Sequence, residues 1–142
     1  MIKLEIQYGS LKGVARVPRV NFERCLKAAE RVLRLSGKRS VSLAFVNAHA
    51  MKRLNEAYHG GHGVTDVLAF PSDAISGRDG YMGEILLYYP RARMQAASRG
   101  ATVKDEVLLL FVHGVLHLLG FDHDTPSHKA RMFRLQERIL HT

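Results

Sequence analysis

Three histidines, His113, His117 and His123, fall inside "HGVLHLLGFDH", directly after the apolar run "VLLLFV". Their spacing is H-x-x-x-H-x-x-G-x-x-H. Four residues turn a helix by about 400°, so the first two rings leave one face a turn apart. A metal ion accepts two imidazoles from that arrangement, with Zn–N near 2.0–2.1 Å. Gly120 stands where a helix can end in the left-handed turn that glycine adopts cheaply, and the returning chain can bring His123 to the same face. A lone histidine on an apolar helix is usually a core residue bonded to a carbonyl. Three of them would each need a polar partner that leucines and valines do not supply, whereas one cation satisfies all three. Imidazole ligands suit Zn²⁺, with nickel, copper or iron also admissible. Three protein ligands leave a fourth position for water, the mark of a catalytic site. There a metal brings the pKa of water to about 7 and polarises a carbonyl or phosphoryl oxygen.

The elements that must position these rings follow from periodicity and caps. Thr102, with Asp105 three residues on, opens a helix through "VKDEVLLLFVHGVLHLL" that Gly120 should end. Thr125 and Pro126 cap a last helix, "SHKARMFRLQERIL". Upstream, "IKLEIQY" alternates as a strand, "LKGVARVP" reads as a second extended piece, and Asn21 should cap a helix that stops at Gly37. "SVSLAFV" is a strand, and "NAHAMKRLNEAY" is a helix capped by Asn47. "VTDVLAFP" and "YMGEILLYY" are strands, with a short helix following at "PRARMQAASR" up to Gly100. This order, with paired strands in the middle and helices at the end, predicts an α+β domain: a small mixed sheet of about four strands with about five helices, mostly on one face. No repeat, low-complexity tract or linker divides the 142 residues, which are expected to form one domain.

Composition narrows the partners. Lys and Arg number 21 against 13 Asp and Glu, a net charge of +8, which favours polyanions: nucleic acid or an anionic surface. Arg24, Lys27, Arg31, Arg34 and Lys38 recur at steps of three and four, a single stripe on a helix. A solvated face explains such a stripe by itself; with the global excess, contact with nucleic acid or the ribosome is an equal reading. The single Cys25 excludes an internal disulfide, "MIKLEIQYGS" carries charges where a secretory signal would be apolar, and "VLLLFV" falls far short of the roughly 20 residues of a membrane span. A cytoplasmic location is the expectation.

The histidine spacing is that of the metzincin proteases, in which the residue after the first His is a general-base Glu. Here that residue is Gly114. The segment instead resembles the signature of the YbeY family of bacterial endoribonucleases. "LNEAYHGGHGVTDVLAFP" is similar to that family's central block, "MGEILL" to its following strand and "MFRLQERIL" to its last helix, in the same order along the chain. The first forty residues are weakly diagnostic. The resemblance implies a single-strand-specific endoribonuclease with one zinc ion on His113, His117 and His123, acting in 16S rRNA 3′-end maturation and ribosome quality control. Its implied partners are ribosomal RNA, ribosomal proteins and assembly GTPases. One departure stands out: His59 occupies the place where the family usually has Arg, a weaker and pH-dependent phosphate donor. Glu84 stands where the family commonly has Asp.

Asp66, Glu84 and Asp122 are acids within apolar segments and so candidates to orient a ligating imidazole; Asp66 and Asp122 rank first, as orienters or local helix caps. No residue reads as a convincing general base. Water activated by the metal and attack by the RNA 2′-OH are both compatible with the sequence. Two other functions remain open at this level: a zinc hydrolase of peptides or amides, disfavoured by Gly114 and the charge, and a metal-stabilised ribosome-assembly factor with little intrinsic catalysis. Cys25 reads as a packing residue and His128 and His141 as surface residues, while His49 and His62 carry no assignment.

Overall fold

The computed structural model describes residues 1–58, 65–72 and 80–142. Within them four strands, β1 (Ile2–Gln7), β2 (Arg39–Phe45), β3 (Val67–Pro71) and β4 (Tyr81–Leu87), form one sheet in the order β1-β2-β4-β3. The β1–β2 and β2–β4 pairs are parallel, and β3 runs antiparallel to β4, with Phe70 opposite Glu84. Among the described residues the helices are α1 (Arg19–Leu33), α2 (Ala48–Tyr58), α3 (Tyr89–Arg99), α4 (Val103–Leu118) and α5 (Pro126–Leu140). This is the α+β architecture expected from the order of elements.

Alternation along the strands divides the core. Val41, Leu43, Ile85 and Leu87 face α1, α4 and α5, where they meet Phe22, Leu26, Phe111, Val115 and Ile139. Leu68 and Leu86 face the other way, onto Met51 of α2. Helix α4 runs through the larger core, and the Phe22 and Phe111 rings meet edge to face at 5.0 Å between centroids. Such a pair adds about 0.5–1.5 kcal/mol beyond the area it buries. No described helix is long and apolar enough to cross a membrane.

The N-terminal region departs from expectation. "LKGVARVP" forms a 3-10 turn at Gly13–Ala15 rather than a strand. Helix α1 starts before Asn21, at Arg19, with Pro18 as its extended cap residue, and Asn21 is buried in its first turn. Arg19 donates to the Leu4 carbonyl at 2.7 Å, which pins the helix start to β1. The helix stops short of Gly37 because Arg34 turns left-handed, at φ 54°, and Leu35 folds back onto the core. Arg24, Lys27 and Arg31 therefore share the exposed face of α1, whereas Arg34 lies in the cap and Lys38 beyond it.

Candidate metal centre

Local signals place the histidine helix. The Thr102 hydroxyl accepts from the Asp105 N–H at 3.0 Å, and Asp105 and Glu106 lie in the first turn, where the helix dipole favours negative charge. At the other end the Gly120 N–H donates to the His117 carbonyl and the Phe121 N–H to the Leu116 carbonyl, both at 3.0 Å. This pair of bonds is a Schellman closure, and it requires the left-handed φ of 96° at Gly120. The closure turns the chain back so that His123, five residues beyond the helix end at Leu118, rejoins the rings of α4.

The three side chains converge. One ring nitrogen from each of His113, His117 and His123 lies within 4.8 Å of the other two. Ring centroids are 4.6 Å apart for His113 and His117, 4.9 Å for His117 and His123, and 5.5 Å for His113 and His123. The Nε2 atoms of His113 and His117 face each other at 3.0 Å. His113 gives its Nδ1 proton to Oε1 of Gln136, at 2.6 Å, which leaves Nε2 with its lone pair exposed toward the other rings. Burial depresses the pKa of His113 below the ordinary imidazole value, outweighing the Gln136 bond that raises it. Burial, with the neighbouring His113 and His123, depresses that of His117 too. Three imidazoles with converging ring nitrogens form a donor set that a divalent cation fits and that nothing else among the described side chains completes.

The sequence points to carboxylates as orienters of these rings; the structure places an amide there. Gln136, on α5 and 7% exposed, is the partner of His113. Asp66 is occupied elsewhere. Its Oδ1 accepts from the Val67 N–H at 2.7 Å and from the Thr65 hydroxyl at 3.3 Å, and its Oδ2 accepts from Gln95 at 3.1 Å. Asp122 accepts from the His123 N–H at 2.7 Å, a turn-capping role. Glu84 is exposed on β4 and lines none of the cavities that touch the histidines. The signal for Gln136 lay in the pattern of α5: a polar residue at helical spacing from Met132 and Ile139, on the face those side chains bury. Glu106, seven residues before His113 on the same helix, is a second such residue; it is 2% exposed and ion-paired with Arg99 at 3.1 Å.

Gly114 has a packing reason. A Cβ there would meet the Ile85 side chain at 3.0–3.2 Å, so α4 lies close against β4 at this point. A larger residue at this position requires the Ile85 side chain to give way. The edge strand β3 beside the histidines is also a poor template for an extended peptide. Its Val67 N–H is taken by Asp66, and Pro71 has none to offer.

Two residues raised by the sequence, His59 and His62, lie outside the described residues. His128 and His141 are exposed and pair with Asp124 and Glu137 on their own turns, and His49 is exposed on α2. Cys25 is buried, and desolvation pushes its thiol up to about 11, in keeping with a packing role.

The family model described as Endoribonuclease YbeY matches residues 14–142. The chain belongs to the YbeY family. A relative named Endoribonuclease YbeY from Moorella thermoacetica is 40% identical over 128 residues, covering 84% of this chain and 82% of the relative. Another of that name, from Renibacterium salmoninarum, is 33% identical over 144 residues, covering 96% and 91%. Among solved structures, a Thermotoga maritima protein determined in solution superposes with a TM-score of 0.59 at 26% identity, covering 98% of this chain and 89% of that one. The YbeY match takes in all three histidines, Gln136 and Gly114 alike, since each lies within residues 14–142.

Proposed function

We propose that this YbeY-family chain is a single metal-dependent hydrolase domain, residues 1–142, that cuts single-stranded RNA with one zinc ion held by His113, His117 and His123. The observation that carries the reading is the convergence of three imidazole nitrogens within 4.8 Å, with the His113 tautomer set by Gln136. When bound, zinc supplies Lewis acidity toward a phosphoryl oxygen and makes water a nucleophile near neutral pH. The protein's part is to hold and shape. Burial lowers the pKa of His113 and of His117, which favours the neutral rings that ligation requires. Gln136 keeps the proton of His113 on Nδ1, turned away from the site. Gly114 lets the histidine helix approach the sheet, and no side chain rises there to act as a base.

The proposed substrate is ribosomal RNA, with the 3′ end of 16S rRNA and ribosome quality control as the setting. Ribosomal proteins and assembly GTPases are the proposed partners, in the cytoplasm. The +8 charge supports a polyanionic substrate over a peptide.

The test is direct. Elemental analysis of purified protein should find near one equivalent of zinc, lost in His113→Ala. The loaded protein should cleave single-stranded RNA and leave casein intact. Zinc-loaded protein that binds RNA but never cuts it would overturn the nuclease reading in favour of an assembly factor.

A further inference from the structure

On its α5 side the histidine cluster opens into a cavity of about 550 Å³, whose lining includes His113, His123, Lys129, Met132, Phe133 and Arg134. No described carboxylate lines it. Phe133 is 59% exposed. Single exposed apolar residues are ordinary, and Met1, Val14, Val20, Tyr58 and Met94 are others here. None of those five lines a cavity that touches the histidines; Phe133 does. It also stands between two cations, with Lys129 one helical turn before it and Arg134 next to it.

An aromatic face, flanking cations and no opposing acid form the recognition chemistry of a nucleotide in a single strand. Bases stack on aromatic rings with little regard to sequence, and lysine and arginine hold the adjoining phosphates. A duplex has already stacked its bases on one another and cannot offer one to the ring. We propose that Phe133 is the stacking platform for an unpaired base beside the bond to be cut, with Lys129 and Arg134 holding the phosphates on either side. This rests on the endoribonuclease reading and adds to it the origin of single-strand preference. The basic stripe on α1 contributes general attraction, since Arg24, Lys27 and Arg31 line none of the histidine cavities.

The experiment mixes zinc-loaded protein with a short single-stranded RNA carrying 2-aminopurine and reads fluorescence quenching and affinity before cleavage proceeds. Phe133→Ala should weaken binding about tenfold, a loss within the range of one base–aromatic stack, and should abolish the quench. Phe133→Trp should keep both, and affinity for duplex RNA should not change in either variant. Lys129→Ala and Arg134→Ala should each reduce the salt slope by about 0.7. Because Phe133 is largely exposed, its variants should melt with the parent, which separates binding from folding. Unchanged binding and quenching in Phe133→Ala, with cleavage intact in the parent, would overturn the platform and leave the nuclease standing. A parent that binds and quenches through Phe133 but never cuts would support the platform and overturn the nuclease. Equal losses in the Ala and Trp variants, or an effect confined to binding a ribosomal protein, would also overturn the platform.

Discussion

The three imidazoles stand between two walls of different chemistry. The α5 wall presents Lys129, Phe133 and Arg134 to solvent and Gln136 to the ring of His113. The β3 wall presents Thr65, Asp66, Ala69 and Pro71, with the Asp66 carboxylate already committed to Val67, Thr65 and Gln95. The α5 wall hydrogen-bonds a ring, whereas Asp66 of the other wall hydrogen-bonds its neighbours and acts on His113 through its charge. A carboxylate near the histidines is not thereby their orienter: the hydrogen bonds of Asp66 go to Thr65, Val67 and Gln95 rather than to a ring.

The largest effect belongs to the rings both walls share. His117→Ala should release the metal and lower RNA cleavage by more than the roughly 100-fold that loss of an outer partner produces, read by elemental analysis and a cleavage assay. Next come the walls themselves. Gln136→Leu should cost about 10–100-fold in zinc affinity, measured by chelator competition. Asp66→Ala should leave that affinity unchanged while lowering the denaturation midpoint, because it strands the Val67 N–H and the Gln95 amide. The opposite ranking would show that the α5 wall is not the one that orients the metal.

Smaller effects test how the histidine helix is seated. Gly114→Ala should lower stability by about 1–3 kcal/mol in urea melts, since its methyl group must displace Ile85. Glu106, behind His113 on α4, has its pKa raised above the ordinary 4.5 by burial, against the pull of Arg99 and with a push from Asp66. The folded chain then holds this proton more tightly than the unfolded chain does. Its contribution to stability is therefore fully present below pH 4.5 and declines as pH rises through the raised value. Glu106→Gln should flatten that decline in melts taken across the pH range. Thr125→Ala should show the smallest change, about 1 kcal/mol, through loss of the acceptor for the His128 N–H at the start of α5.

How far each feature could be read in advance follows from the range of the interaction that makes it. Asn47, Thr102 and Thr125 each accept a hydrogen bond from the N–H three residues on. Gly100 and Gly120 take the left-handed turn that closes their helices. These are contacts within a few residues, and their chemistry is visible in the local string. The ends of α1 were not legible in the same way. Its start depends on Arg19 reaching Leu4 of β1, and its stop on Leu35 finding the core. Glu84 misled because a charge in an apolar strand can also mark a residue turned to solvent, and the sheet turned this one outward.

The string of residues by itself determined the cluster's core. Two imidazoles four apart on a capped helix must share a face, and a glycine three residues later allows the chain to bring back a third. Tertiary structure decided which groups surround them. Only the packing of α5 against α4 puts the Gln136 amide on His113, and only the approach of α4 to β4 explains why Gly114 carries no side chain. The physical reason is distance along the chain: helix and turn geometry act over a few residues, whereas the partner of His113 is 23 residues away and meets it through the burial of the apolar faces that bring α4 and α5 together.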